Sequence, residues 1–393
     1  MQLLNTSKVL KGSAPQGAIP SNREVFKTVL QVAWPSVLEA FLVSLVGFID
    51  TIMVSSLGEE AIAAVGLTNQ PKFIALCFFL SLNIAVSALT ARRKGEDDNT
   101  GATQVLRMAL VITLVAVAVI SVVFVLFAGQ IIWLAGAQPE TQADATAYLQ
   151  IIVGGMVFNV VSLVINAAQR GCGNTRISMK TNVTSNVVNL IFNYLLIEGH
   201  FGFPRLGVRG AAIATVIGTV VACGMSIASL CGKNTYIHFH DLIRFTRKNI
   251  FNKRNLRSMS DVGLSAFIEQ VFLRIGFFTF TMIVANLGTT ALAAHQIGMN
   301  LLSISFSFGD GLQVAAIALV GQSLGRQRQD MARIYGSACQ RIGLLCALIV
   351  SSMYLIFGRQ IYMLFSDDPV VLDYGVQIMR IVCLILFLSL IHI

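Results

Sequence analysis

The sequence predicts an all-α polytopic membrane protein, built as two helical lobes that point the same way across the bilayer. Three observations lead there. Only 12% of the residues are charged and 55% are hydrophobic, with a mean hydropathy of +0.74, whereas a soluble domain carries about 25% charged residues. Apolar runs near 20 residues recur along the whole chain, enough to cross a hydrocarbon core of about 30 Å. A stretch near the start also returns 230 residues later without a gap: LGEEAIAAVGLTNQ at 57–70 lies over LGTTALAAHQIGMN at 287–300, Glu39 over Glu269 and Gly95 over Gly325.

Residues 1–24 form a polar tail with no apolar core beside a cleavage site, so no signal peptide is expected. The first span, 29–53, contains Pro35, which should kink the helix and free a backbone carbonyl one turn before Glu39. Glu39 and Asp50 are 11 residues apart. That places them about 20° beyond three full turns, on one helix face and about 16 Å apart. An intramembrane carboxylate is expensive. Asp50 either caps the outer end of the span or loads and releases a proton as a cavity opens and closes around it.

The second span, 61–91, contains Pro71 and Lys72, and the third and fourth cover 108–135 and 147–168. The fifth, 181–197, carries Asn182, Asn186, Asn189 and Asn193 at spacings of 4, 3 and 4. These form a polar stripe that either lines a wet cavity or binds a neighbouring helix. The sixth span is 208–231, followed by a polar linker at 233–258. In the seventh, 259–286, Glu269 and Arg274 stand about 140° apart around the helix, so each needs a partner elsewhere. Asp310 in the eighth, 289–319, is the candidate partner of Arg274, in a structural or a coupling ion pair. The ninth and tenth spans are 338–357 and 375–393.

With the N-terminus in the cytoplasm, 22 of the 28 Lys and Arg fall in cytoplasmic segments, as the positive-inside rule requires. The expected location is therefore the cytoplasmic membrane, multi-pass, with a cytoplasmic N-terminus. The net charge of +9 then reflects loops facing anionic lipid rather than a nucleic-acid partner. The seven cysteines form no CxxC pair and lie mostly in apolar segments, where thiols are packing residues. His238 and His240, beside Asp241, lack further metal ligands, and NVT at 182–184 sits at a cytoplasmic helix end, where glycosylation is not expected. Without Walker motifs, a nucleophile–base arrangement or a metal cluster, neither an enzyme nor an ATP-driven pump is expected, and no cofactor beyond a coupling ion.

Because six spans separate the two copies of the repeat, the halves run parallel, a transporter architecture. The expected lobes are 25–232 and an incomplete 259–393, joined by the 233–258 linker. Two full copies would need twelve spans, and the chain ends within the tenth. Its tail, LSLIHI, is the translation of ctgtctcttatacacatc, a common transposase adapter. The expectation is a truncated fragment whose residues 388–393 are not native.

WPSVLEAFLVSLVGFIDTIMVSSLG, AAQRGCGNTR, NLIFNYLLIEG, LGVRGAAIATVIG and ALAAHQIGMN together resemble the multidrug and toxic compound extrusion (MATE) family of efflux transporters, from about residue 25 to 387. The resemblance implies a fold of twelve helices in two six-helix lobes, about ten of them present here. It implies a monomeric antiporter in a bacterial inner membrane, exporting amphipathic or cationic drugs and toxic compounds in exchange for H+ or Na+. By the same resemblance, Asp50 matches the first-span coupling aspartate and Pro35 the proline at which that helix bends. Asn189 and Asn193 match two fifth-span polar positions, the second of which is aspartate in some members, and Thr215 matches a sixth-span threonine. Glu269 matches a seventh-span glutamate associated with cation binding in sodium-coupled members. The EQVFLRIG context around Glu269 and Arg274 departs from those members, and their tenth-span cation residues fall where this chain breaks off. H+ and Na+ therefore both stay open. A flippase for lipid-linked oligosaccharides or polysaccharides shares the two-lobe bundle but lines its cavity with several basic residues, and here only Arg274 and Arg380 are expected mid-membrane. A pore or a structural scaffold would need neither the repeat nor the carboxylate–asparagine face.

Overall fold

The computed structural model describes residues 9–10, 15–232, 235–243, 253–285, 287–363, 365 and 368–390. Parts of the expected N-terminal tail and linker, with Lys8, Lys11, Lys233, Arg244, Arg247 and Lys248, lie outside the described residues, as do the last three residues of LSLIHI. Every regular element among the described residues is helical. In a medium without water each segment must satisfy its own backbone donors and acceptors, and a helix does so locally. In chain order they are α1 (Asn22–Ser55), α2 (Glu59–Gly95), α3 (Asn99–Leu126), α4 (Ala128–Leu134), α5 (Pro139–Gly154), α6 (Met156–Gly171), α7 (Thr175–Ile197), α8 (Gly207–Ser229), a short α9 (Phe239–Ile243), α10 (Lys253–Ala285), α11 (Thr289–Gly325), α12 (Gln329–Met363) and α13 (Pro369–Leu390). At 37 residues, α2 is about 55 Å long, more than the hydrocarbon core. Its last turn carries Arg92, Arg93 and Lys94, where cations suit both the helix dipole and a headgroup region.

Eight described helices are long and apolar enough to cross a membrane, or nine when α5 and α6, bent by 45° at their junction, count as one span. The ten expected spans differ from this at three places. The fifth exists as the 23-residue α7, but its four asparagines leave it too polar to qualify. The fourth is broken at Gly154–Gly155, where a Cβ on Gly155 would stand 2.6 Å from Cγ2 of Val216, so α8 packs into the bend. The third divides at Phe127 into α3 and α4.

The 230-residue offset persists in the backbone. Glu59, Gly95, Asn99 and Pro139 open or close helices, and so do Thr289, Gly325, Gln329 and Pro369. The loop residues match as well. Gly58 and Gly288 both have φ of 106°, and Asp97 and Gln327 have φ of 56° and 58°. Only glycine adopts the conformation of the first pair without strain.

The chain divides into two compact units, 1–41 with 268–393, and 42–267. These borders differ from the expected 25–232 and 259–393, because α1 and α10 each begin in one unit and end in the other. In the first unit Val25, Val29 and Ala33 of α1 are buried with Leu312 and Ala315 of α11 and Ile334 of α12. In the second, Met259 of α10, one repeat after Val29, is buried with Leu82, Leu106 and Ile165. Hydrophobic pattern shows that a helix has an apolar face but not which neighbour covers it.

Polar contacts fix the start of each of these helices. In the first unit Asp330, 4% exposed, is held by Arg328 Nε and Nη2, both at 2.9 Å, and accepts from the Gln16 N–H at 3.1 Å. Arg328 also donates to the Ala18 carbonyl at 3.0 Å. In the second unit Arg93 donates to Asn255 Oδ1 at 2.9 Å, Arg107 to the Leu242 carbonyl at 3.1 Å, and Asn99 to the Tyr236 carbonyl.

Candidate functional site

Within the unit 42–267, the Asp50 carboxylate in the closing turns of α1 meets polar side chains from four other helices. Asn193 of α7 donates from Nδ2 to Asp50 Oδ1 at 2.8 Å. An amide's oxygen and nitrogen are assigned from the bonds they can make. With its NH2 toward α1, Asn189 donates to Oδ1 and Oδ2 of Asp50, both at 3.1 Å, while its oxygen accepts from the hydroxyl and the backbone N–H of Thr215 at 3.2 and 3.1 Å. Turned the other way, Asn189 donates to Thr215 Oγ1 at 3.2 Å and accepts from Asn193 at 3.4 Å. That second orientation sets the Asn189 oxygen against other acceptors and its NH2 against donors, so the first is the one its partners satisfy.

The helices reach this arrangement through close packing. α7 turns a polar face inward, with Ser178, Thr181, Ser185, Asn189 and Asn193 all buried at spacings of three and four residues, while Asn182 and Asn186 are half-buried. Ser185 donates to the Gly218 carbonyl of α8 at 2.7 Å. A Cβ on Gly218 would stand 2.8 Å from the Ser185 carbonyl oxygen and 3.2 Å from Asn189 Cβ, so glycine sets how closely α8 approaches the site. An apolar cluster of Val54, Tyr148, Ile152, Ile197 and Val208 packs where α1 and α7 end and α8 begins. Asn193 is 2% exposed, and its Oδ1 is enclosed with no hydrogen-bond partner among the described residues. A buried amide oxygen in that state is costly and has a lone pair to offer a proton donor or a cation.

Two contributors were not anticipated. Tyr148 of α5 faces the Thr215 side chain and lies within electrostatic range of Asp50. Lys72 of α2 is also within electrostatic range of Asp50. Beside Arg274 and Arg380, which the sequence analysis weighed as mid-membrane cations, Lys72 is thus a further cation to reckon with at this site. Its presence within the 61–91 run was the available signal, but no spacing rule connects residues on different helices.

The remaining expected site residues belong to the other unit or its stretch of α1. Pro35 and Glu39 lie within 1–41 and both are buried; α1 continues through Pro35 as one helix. Glu269, Arg274 and Asp310 lie within 268–393. Glu269 and Asp310 are exposed and Arg274 is half-buried, and among the described residues no ion pair joins Arg274 to Asp310. Phe280 occupies the position one repeat after Asp50 and packs edge-on against His295, with ring centroids 5.1 Å apart. Among the described residues no group of three or more His, Cys, Asp or Glu is placed to hold a metal ion.

Comparison with known proteins adds to this geometry. The MatE family model matches residues 35–195 and 265–393. A probable multidrug resistance protein NorM of Thermotoga maritima is 25% identical over 383 residues, covering 96% of this chain and 80% of its own length. The multidrug resistance protein PmpM of Pseudomonas aeruginosa is 27% identical over 354 residues, covering 89% of this chain and 73% of its own length. Among solved structures, MATE in complex with MaD5 superposes with a TM-score of 0.84 at 22% identity, over 98% of this chain and 83% of that one.

Proposed function

The chain belongs to the MatE family of multidrug efflux transporters, and from that premise we propose that it is a secondary antiporter, exporting amphipathic organic cations in exchange for H+ or Na+. It acts as a monomer in the inner membrane of a bacterium, with a cytoplasmic N-terminus. Asp50 is the coupling carboxylate, assisted by Asn189, Asn193 and Thr215. The observation that carries this reading is the half-buried Asp50 carboxylate, held by Asn193, beside the unpartnered, buried Oδ1 of that same asparagine. An ionised Asp50 draws the NH2 of Asn189 and Asn193 toward itself. When a proton or cation loads, Asn189 turns its amide and the free oxygen of Asn193 gains a partner. Loading thus reorganises hydrogen bonds on three helices, α1, α7 and α8.

Antiport requires that substrate and cation favour different states of one equilibrium, since a ligand shifts a conformational equilibrium only by its differential affinity. A cationic substrate and the coupling ion both offset the charge of Asp50, and so they exclude each other. The names of the NorM and PmpM relatives support the drug-export part of this reading.

The test is ion-driven efflux of ethidium from proteoliposomes, with an imposed pH or sodium gradient, by the wild-type chain and by Asp50→Asn. The variant is expected to insert normally and lose gradient-driven efflux. Equal efflux by both at matched protein levels would refute the assignment of Asp50.

A further inference from the structure

We propose that His200 is a positioning residue of the Asp50 site, a proton-operated clasp that ties the outer end of α7 and so sets how firmly that helix presents Asn189 and Asn193 to the carboxylate. The inference rests on reading Asp50 as the coupling carboxylate and the N-terminus as cytoplasmic, which puts the loop at 198–206 on the outer face. The last four carbonyls of a helix have no partner within it. At the end of α7 the loop turns back to supply them. The Leu206 N–H donates to the Leu196 carbonyl at 2.9 Å, and His200 Nδ1 bonds the Tyr194 carbonyl at 3.0 Å. Gly199 makes this turn possible. Its φ is 79° and a Cβ there would stand 2.9 Å from the Phe203 carbonyl oxygen, so glycine is what lets the imidazole return over the helix. The ring lies flat on Tyr194, with centroids 4.1 Å apart and planes 11° from parallel. Tyr194 directly follows Asn193, whose Nδ2 donates to Asp50 at 2.8 Å.

Both ring nitrogens of His200 face acceptors. A carbonyl oxygen only accepts, so the contact to Tyr194 requires a hydrogen on Nδ1. Nε2 stands 3.6 Å from Glu198 Oε2, and a carboxylate attracts that nitrogen only when it carries a hydrogen as well. The neutral ring therefore satisfies one contact and turns a lone pair toward Glu198, whereas the imidazolium satisfies both. Its charge also suits the negative end of the α7 dipole and the face of the Tyr194 ring. The turn His200–Gly202 packs on α7. Among the described residues, Glu198 and Tyr194 are the titratable groups that face the ring. Histidine changes its charge between about pH 5 and 8. An acidic outer face thus tightens the clasp, and an alkaline one leaves a single neutral hydrogen bond and loosens the end of α7. The contacts that depend on the charge are exposed ones, so together they change the opening of this last turn by roughly fivefold.

The experiment is hydrogen–deuterium exchange of the purified chain in nanodiscs at about pH 5 and about pH 8, corrected for the intrinsic pH dependence of exchange. Ethidium efflux from proteoliposomes is measured at the same two outer pH values under one fixed inward pH difference. The wild type, His200→Gln, Glu198→Gln and Asp50→Asn are compared. In the wild type, protection of the amides at 193–197 is expected to be roughly fivefold higher at the lower pH. His200→Gln is expected to match the wild type at the higher pH and to gain no protection at the lower one, where its efflux is slower by up to roughly fivefold. Glu198→Gln should lose part of the gain. A merely structural histidine would lower protection in His200→Gln equally at both pH values, and that result overturns the proposal. The same pH-dependent gain in His200→Gln as in the wild type overturns it too. Wild-type efflux by Asp50→Asn removes the coupling reading itself, and this inference with it.

Discussion

Replacing Gly218 by Ala tests how far the site depends on the fit of α7 against α8. The added Cβ would stand 2.8 Å from the Ser185 carbonyl oxygen, 3.2 Å from Asn189 Cβ and 3.4 Å from Ser185 Oγ. Heavy atoms settle at about 3.5 Å or more, so the helices must part by about half an ångström. Overpacking of this kind costs about 1–3 kcal/mol. The same movement stretches the Asn189 contacts to Thr215, now 3.1–3.2 Å, to about 3.6 Å, past hydrogen-bonding distance. A hydrogen bond contributes about 0.5–1.5 kcal/mol, and losing these two loosens the amide that holds Asp50, so gradient-driven efflux should fall by roughly tenfold. Gly224 on the same helix is the internal control, because a Cβ there meets nothing within 4 Å. The assay is thermal melting of the purified chain together with ethidium efflux. Gly218→Ala is expected to lower the melting temperature by a few degrees and to impair efflux, while Gly224→Ala leaves both unchanged. Wild-type melting and efflux in Gly218→Ala would refute the packing argument.

Two further perturbations address the frame around the site. Asp330→Ala removes the carboxylate that accepts from Arg328 and from the Gln16 N–H; with that hydrogen bond lost, hydrogen exchange at Gln16 should speed up by roughly tenfold. Unchanged exchange there would show that the contact holds nothing. Gly58→Ala and Gly288→Ala each force a side chain into φ of 106°, which costs about 1–3 kcal/mol. Since the two turns are repeat-related copies, their melting shifts should agree, and a shift in only one would contradict the shared geometry.

Much of the fold could be read from residue pattern, and its limits have physical causes. The 230-residue offset, first visible in LGEEAIAAVG and LGTTALAAHQ, reappears as matched helix ends and matched left-handed loop residues, because a repeated sequence repeats its turn chemistry. The grouping of Asp50 with Asn189, Asn193 and Thr215 came from helix periodicity joined to family resemblance. Asn182 and Asn186 of the stripe are half-buried, with the Asn186 amide nitrogen enclosed, and the inward face of α7 also includes Ser178, Thr181 and Ser185. Small hydroxyl residues weigh little in a polarity pattern, although they allow close helix approach. Lys72 and Tyr148 could not be assigned to the site, because they sit on separate helices whose rotation about their own axes no single-helix rule supplies. The division of α1 and α10 between units was hidden for the same reason. The adjacent glycines 154 and 155 were a visible sign of the bend in the fourth span.

The central claim is that cation and substrate compete for Asp50. Its most direct test is cation release on adding ethidium to the purified, cation-loaded chain, read with a pH indicator in weak buffer or as displaced radioactive sodium. The account predicts release of about one cation per chain from the wild type and none from Asp50→Asn. Release from Asp50→Asn at the wild-type level, or ethidium binding to the wild type with no release at all, would contradict it.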